Sequence, residues 1–310
     1  MVYNIKKLTK EEKKLKKFVI VTDSCSDLYK ELREQYDIDY LPMYVTFGEK
    51  SMKVDLDWQE MSAKEYYDVM RNGTRVLSSQ VPAFDYEERF TEYVEKGYDV
   101  LSISCSSGLS SSVHASEVAK TAVLEKYPDA KIYCIDSIIS GFGLGLICIY
   151  ASKLRAEGKS IDEVAEEIES FKNNVNQVGT VDDLKFLKMA GRISASKALF
   201  GTLLHVKPII VSNNKGENVS VEKAKGRIGS IRRLAEYACE RYSGEKMNGI
   251  YISHGDCIED AELLKGFINE KLPDVEVSIA MLNATVGASV GPKMMCVYYV
   301  GPQKPDTSNM

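Results

Sequence analysis

The stretch 102–112, SISCSSGLSSS, has the residue types best suited to chemistry in this chain. It crowds serine hydroxyls around Gly108, between an apolar strand-like run and a helical pattern. Such a loop points backbone N–H groups outward, and the N-terminus of the following helix adds about half a positive charge. One serine is enough to cap a helix. The pattern therefore favours a cradle that holds a carboxylate or a phosphate.

A serine nucleophile is the alternative chemistry for the same loop. A small-molecule hydrolase would use one of Ser104 to Ser107 with His114 as its base, and would need a carboxylate to orient that base. None of these serines lies in a GxSxG nucleophile elbow, and the spacing identifies no third member of a triad. No catalytic residue is therefore predicted, and the hydrolase stays an alternative.

Nucleotide and metal motifs are incomplete. Residues 158–160 (GKS) end like a P-loop, but Lys153 occupies the position of its first glycine. Residues 141–145 (GFGLG) look like a dinucleotide turn, but Leu146 takes the place of the third glycine, and small residues in an apolar run favour close packing instead. With seven cysteines, no CxxC pair and three histidines, we expect neither a metal nor a cofactor.

Composition limits the class of protein. A chain of 310 residues with 44% hydrophobic residues predicts a globular protein of about two domains. The net charge of −5 does not favour a nucleic-acid partner. The longest apolar run ends at Ala151 and is too short to span a bilayer, so no integral membrane segment is expected. Cysteines inside apolar runs indicate reduced thiols and a cytoplasmic location.

Strand-like runs alternate with helical patterns through the first half of the chain, which predicts an α/β fold with a mostly parallel sheet. Ser24 and Asp27 have capping-box spacing at the first helix. The second half reads as a mixed sheet with a hairpin turn at 213–216. The resulting division is a charged extension 1–17, α/β domains 18–172 and 173–301, and a disordered tail 302–310.

Several motifs occur together in a specific order. They are VTDSCSDL (21–28), LSSQVP (77–82), ISCSSGLSSS (103–112), CIDS (134–137), DDLKFLKMAGRIS (182–194), VKPII (206–210) and VGASVGPK (286–293). Each motif is weak alone, but the ordered set resembles the DegV family of bacterial fatty-acid-binding proteins, the FakB type, from about Phe18 to Gly301.

The resemblance implies two α/β domains with a long-chain fatty acid in an apolar tunnel between them. Hydroxyls at one end of the tunnel would hold the carboxylate. It further implies that a separate fatty acid kinase subunit phosphorylates the presented acid to an acyl-phosphate for phospholipid synthesis. The binding protein would need no bound nucleotide, and the fatty acid would be its ligand rather than a cofactor.

The family's motifs map onto hydroxyl-bearing positions of this sequence. The resemblance implies that the carboxylate is bound by Ser78, Ser79, Ser106 and Ser107, and that Arg192 contacts the head group or the kinase. The family's late histidine is replaced by Ser289, which keeps a hydrogen-bond donor for the carboxylate. Loss of the histidine also leaves a further alternative open, namely an interaction protein whose ligand pocket is vestigial.

Apolar residues in three segments are the candidates for the tunnel lining, although ordinary core packing is the favoured explanation for each of them. These residues are Phe142, Leu144, Ile147, Leu199, Phe200, Leu203 and Met281.

Overall fold

A computed structural model describes residues 17–193 and 206–307. The strands of these residues are β1 Phe18–Asp23, β2 Ile38–Leu41, β3 Tyr44–Phe47, β4 Lys50–Lys53, β5 Val76–Ser79, β6 Asp99–Ser104, β7 Ile132–Asp136, β8 Val175–Thr180, β9 Val206–Ser212, β10 Asn218–Lys225, β11 Ile250–His254, β12 Val277–Met281 and β13 Met295–Val300. The helices are α1 Lys30–Tyr36, α2 Ala63–Arg71, α3 Ala83–Glu95, α4 Ser112–Lys126, α5 Phe142–Ala156, α6 Ile161–Phe171, α7 Leu184–Ala190, α8 Gly226–Arg241, α9 Ile258–Lys271 and α10 Ala284–Val290.

The first half contains the predicted parallel sheet, with strand order β2-β1-β6-β7. Every residue of β6 is buried, as expected for a parallel strand covered on both faces. Helix α5 is buried on nearly all sides, which explains its long apolar run. Gly143 and Gly145 lie against Ile139 and Leu28, so these glycines serve close packing.

The second half contains the predicted mixed sheet, with strand order β10-β9-β8-β13-β11-β12. Strands β9 and β10 are antiparallel around the turn at 213–216, whereas β11 and β12 run parallel. The fold class is thereby confirmed. A 3₁₀ turn, Lys172–Asn174, precedes β8 at the predicted domain boundary. The boundary itself stays a prediction, because Val175 and Tyr298 share one hydrophobic core with the first sheet.

A third sheet, antiparallel with order β4-β3-β5, did not follow from the sequence. Its strands have four residues each, too short for a clear alternation of apolar and polar side chains. Helices α2 and α10 pack beside it, and the hydroxyls of Tyr66 and Tyr67 donate to the backbone oxygens of Ala284 and Leu282, at 2.7 and 3.1 Å. This small sheet therefore joins the first half to α10.

The predicted capping box is wrong. Helix α1 begins at Lys30 without a side-chain cap, and the hydroxyl of Ser24 accepts from the Met43 N–H instead. Asp27 has a left-handed φ of 53°, and its carboxylate accepts hydrogen bonds from Asn283 and Ser253 in the second half. A motif that looks local is thus a contact between the two halves.

The predicted disorder of the tail is wrong for residues 302–307. The Lys304 ammonium donates to the Lys172 backbone oxygen at 2.5 Å and is 5% exposed. The Asn214 N–H donates to the backbone oxygen of Pro305 at 3.0 Å. Polar composition suggested a solvated tail, but these backbone acceptors do not depend on composition. Residues 1–16 of the charged extension and residues 308–310 lie outside the described residues.

Within the described ranges, no helix combines the length and the apolarity needed to cross a membrane.

Candidate functional site

A cleft opens where the carboxyl ends of β1 and β6 face helices α7 and α10. Its empty space, with the solvent at its mouth, is about 510 Å³. The lining residues are Cys25, Met43, Ser78, Ser79, Gln80, Cys105, Leu109, Ser110, Ser140, Leu187, Arg192, Asn218, Thr285, Val286, Ser289 and Val290. The position at the strand ends agrees with the general rule for ligands in α/β sheets.

A second cavity of about 540 Å³ adjoins the first. The two share Ser78, Arg192 and Ser289 in their linings. These three polar residues therefore stand where the two cavities meet. An anionic head group placed there would meet hydroxyls and a guanidinium, while apolar side chains line parts of both cavities.

Helix α10 brings two hydroxyls to the cleft. Asn283 caps the helix by accepting from the Val286 N–H at 2.9 Å, and Gly291 ends it with a φ of 77°. Thr285 and Ser289 are four residues apart and thus lie on one face of the helix. Both line the cleft.

Thr285 is the residue that sequence reasoning missed. Its hydroxyl oxygen is buried and has no hydrogen-bond partner among the described residues. An unpaired buried hydroxyl costs free energy, and a ligand acceptor would remove that cost. The sequence did contain a signal for Thr285: it lies four residues before Ser289, the spacing that places two side chains on one face of a helix.

The serine loop contributes differently from the prediction. The Ser106 hydroxyl donates to the Gly216 backbone oxygen at 2.8 Å, and the Ser107 hydroxyl donates to Asp136. Neither of these two serines lines the cleft, and Ser107 is exposed to solvent. The cleft is lined instead by Ser110 and Leu109 of this loop. Other acceptors already use the hydroxyls of Ser106 and Ser107, and carboxylate binding by these two residues stays a prediction.

Arg192 lies at the mouth, just beyond the C-terminal end of α7. Gly191 ends that helix in the left-handed conformation, at φ 66°. The guanidinium of Arg192 donates to the backbone oxygens of Leu109 and Ala190, at 3.1 and 2.6 Å. These two bonds orient an otherwise exposed cation next to Ser78 and Ser289.

The described tunnel candidates do not line this cleft. Leu144 and Ile147 are fully buried in the core around α5, and Phe142 stacks on Tyr251 with ring centroids 4.4 Å apart. Met281 lines a separate groove beside Trp58. Apolarity alone did not distinguish core from cleft wall, since both are lined by the same residue types. Leu199, Phe200 and Leu203 lie outside the described residues.

Among the described residues, no histidine hydrogen-bonds to a serine of the loop, as the hydrolase alternative would require. Ser104 hydrogen-bonds to the Tyr86 hydroxyl at 3.1 Å, and His114 is exposed on α4. Over the residues that the structure describes, no group of three histidine, cysteine or acidic side chains could hold a metal ion.

A buried carboxylate lies under the cleft. Asp23 accepts from the N–H groups of Cys25 and Cys105, both of which line the cleft. Burial raises the pKa of Asp23 to about 6, although these two hydrogen bonds oppose the shift. The carboxylate therefore anchors two loops of the cleft wall rather than facing a ligand.

Comparison with known proteins identifies the family. A family model described as "Uncharacterised protein, DegV family" matches residues 17–301. The chain belongs to the DegV family. A DegV domain-containing protein of Clostridium perfringens is 37% identical over 290 residues, which are 94% of this chain and 99% of that protein. Protein DegV of Bacillus subtilis is 31% identical over 88% of this chain and 95% of its own length.

Solved DegV structures share the fold. The Bacillus subtilis DegV crystal structure, described as a fatty acid binding protein, has a TM-score of 0.79 at 29% identity and covers 93% of this chain and 100% of its own. A Thermus thermophilus DegV family protein, described by its fatty acid binding, has a TM-score of 0.82 at 24% identity, with coverage of 92% and 100%. The latter shows the fold alone. The DegV arrangement of one parallel and one mixed sheet is thus shared.

Proposed function

We propose that this DegV protein binds a long-chain fatty acid in the cleft between its two halves. The acyl chain packs against Met43, Leu187 and Val290, and the carboxylate points to the hydroxyls of Thr285 and Ser289. The observation that carries this proposal is the unpartnered, buried Thr285 hydroxyl in the lining of a partly apolar cleft. The fatty acid binding described for the Bacillus subtilis relative supports it.

The energetic demands on the two ends of the ligand differ. Burying methylenes yields about 0.8 kcal/mol each, so a chain with ~14 of them gains on the order of 11 kcal/mol before ordering costs. Hydrogen bonds to a charged group contribute about 1.5–3 kcal/mol each and offset the loss of carboxylate hydration. The tail therefore sets affinity, and Thr285, Ser289, Ser78 and Ser79 set orientation.

Native mass spectrometry of the purified protein tests the proposal directly. We expect bound fatty acid after purification, or after addition of palmitic acid to delipidated protein. A protein that retains none and takes up none rejects the proposal.

Replacing Thr285 with valine removes the hydroxyl and keeps the shape of the side chain. We expect Thr285→Val to weaken binding of palmitic acid about 10- to 100-fold, since a hydrogen bond to a charged group is worth about 1.5–3 kcal/mol. Binding of hexadecanol should weaken only about 2- to 10-fold, because its hydroxyl is neutral. Calorimetric titration of both ligands measures the difference.

The chain offers a matched control for this substitution. The Thr180 hydroxyl is also buried and unpartnered among the described residues, but Thr180 lies on β8 and does not line the cleft. Thr180→Val should leave both affinities unchanged. Equal losses for acid and alcohol in Thr285→Val would show that this hydroxyl does not meet the carboxylate.

We further propose that the protein presents the acid to a fatty acid kinase subunit. Arg192 supports this role by its position, because it is an exposed, oriented cation beside the head-group end of the cleft. A phosphoryl donor approaching there would meet a guanidinium suited to phosphate.

Arg192→Ala is expected to slow acyl-phosphate formation with a cognate kinase by at least about tenfold, since it removes a charge-assisted contact. Lipid retention should change much less, because the tail supplies most of the affinity. The matched control is Arg232→Ala, an exposed arginine over Phe267 on the outer helix α8. Loss of lipid with unchanged transfer per bound lipid would contradict this assignment.

A further inference from the structure

Two cysteines stand side by side in the cleft wall. Cys25 follows β1 and Cys105 follows β6, which are neighbouring parallel strands. The Cys25 N–H donates to Asp23 Oδ1 at 2.9 Å, and the Cys105 N–H donates to Asp23 Oδ2 at 2.8 Å. One carboxylate therefore holds both backbones, and it fixes the two cysteines next to each other.

The side chains of this pair also meet. The Cys25 and Cys105 thiols lie close enough for each to shift the pKa of the other. The Cys25 Sγ also lies 3.6 Å from the Met43 Sδ. All three sulfur-bearing residues line the cleft. The hydroxyls and Arg192 described above do not use them, so the sulfurs are a separate chemical feature of the cleft.

We propose that Cys25 and Cys105 are a redox modification site, which a peroxide converts into an intramolecular disulfide inside the cleft. The Cys105 thiolate attacks the peroxide, the O–O bond breaks, and a sulfenic acid forms with release of water or an alcohol. The Cys25 sulfur then displaces the sulfenic hydroxyl as water. Two thiols lose two hydrogens, and the peroxide is reduced by two electrons.

The order of the two steps follows from the environment of each thiol. The Cys25 thiol lowers the pKa of Cys105, and burial keeps it above the ordinary value. The Cys105 thiol and, after it, burial raise the pKa of Cys25 far more. Cys105 is thus the better nucleophile and Cys25 the resolving thiol. Both thiols are largely protonated at neutral pH, so oxidation is slower than at an exposed, acidic cysteine.

The disulfide has a consequence for lipid binding that rests on the proposed function, whereas the disulfide itself does not. Cys25 and Cys105 are 3% and 2% exposed, so a reagent reaches them through the cleft. A bound acyl chain would cover them. Bound lipid is therefore expected to slow oxidation of the cysteine pair, because the peroxide reaches the thiols only when the cleft is empty.

Peptide mapping tests the site. Trypsin cleavage places Cys25 in peptide 18–30 and Cys105 in peptide 97–120, each with a single cysteine. The delipidated full chain is treated with hydrogen peroxide, blocked with N-ethylmaleimide and digested. We expect the two peptides linked, with a mass two hydrogens below their sum, and separated again by dithiothreitol.

Variants make the result specific. Cys25→Ser and Cys105→Ser should lose the linked species. Cys148→Ser, which changes a buried cysteine on α5 outside the cleft lining, should keep it. Separate sulfinic acids on Cys25 and Cys105 without a link would overturn the proposal. The proposal would also be overturned if Cys25 and Cys105 both remained free for alkylation at a peroxide dose that oxidises the half-buried Cys239.

A second arm adds palmitic acid before the peroxide. At a free ligand concentration 100-fold above Kd, we expect linkage to slow about 100-fold, because only the empty cleft reacts. An unchanged rate with demonstrated lipid binding would overturn the protection by lipid. If native mass spectrometry shows no lipid but the link still forms, the proposed function fails and the redox site stands.

Discussion

Replacing Asp27 with alanine should lower the free energy of unfolding by about 3–5 kcal/mol, because it leaves buried donors without an acceptor. The Asp27 carboxylate accepts from the Asn283 N–H at 2.9 Å and from the Ser253 hydroxyl at 2.8 Å. Both donors belong to the second half of the chain and are buried. The substitution therefore weakens the contact that holds β11 and α10 against the loop after β1.

Denaturant unfolding measures this loss. Asp129→Ala is the control, since Asp129 is exposed in the loop before β7 and surface changes of this kind stay within about 0.5 kcal/mol. A loss below 1 kcal/mol for Asp27→Ala would indicate that water replaces the carboxylate and that the contact contributes little.

The same residue makes stability depend on pH. Burial raises the pKa of Asp27 from 3.8 to about 6, although hydrogen bonds from Asn283 oppose the shift. The folded state thus holds the proton more tightly than the unfolded state. The resulting stabilisation is complete below pH 3.8 and is lost as pH rises through about 6. Relative to Asp27→Asn, the wild-type free energy of unfolding should fall by about 2 kcal/mol between pH 4 and pH 7.

Gly141→Ala is the second substitution with a large expected effect, about 3–6 kcal/mol of lost stability. Gly141 precedes α5 with φ 61° and ψ −152°, a region that essentially only glycine adopts. An added Cβ would lie 1.9 Å from the hydroxyl oxygen of Tyr298 and 2.7 Å from its Cζ. Tyr298 is buried on β13, so the ring has little room to move. The methyl group would push the two halves apart.

Gly158→Ala separates the clash from the backbone strain. Gly158 also has a positive φ, 85°, but an added Cβ there would meet nothing within 4 Å. We expect a cost of about 1–2 kcal/mol for Gly158→Ala, from the left-handed backbone alone. Equal melting temperatures for the two variants would show that the core around Tyr298 yields to a methyl group.

Much of the fold could be predicted because the patterns are local. A β-branched run followed by a helical period indicates a strand and then a helix wherever it occurs, so the parallel sheet was predictable. Gly191 ended α7 and the turn at 213–216 joined β9 to β10 for similar reasons, since glycine and turn residues act on their own neighbours. The strands of the third sheet have only four residues each, which is too few to show an alternation of apolar and polar side chains.

Local reasoning failed where a residue's partner is far along the chain. Asp27 has the spacing of a cap, but its carboxylate binds Asn283, and nothing in the neighbouring residues indicates that pairing. The packed segment around Lys304 is a second case, because its acceptor is a backbone oxygen at Lys172. Composition describes a residue's average environment, whereas these contacts depend on which surfaces meet.

The sequence by itself determined the α/β architecture, the family and a hydroxyl-rich edge of the sheet. Only the tertiary structure decided which hydroxyls face the cleft. Ser106 and Ser107 bind Gly216 and Asp136, whereas Thr285 is left with an unpaired hydroxyl in the lining. The physical reason is competition: a hydroxyl is available to a ligand only if no nearby acceptor uses it, and the nearby acceptors come from distant parts of the chain.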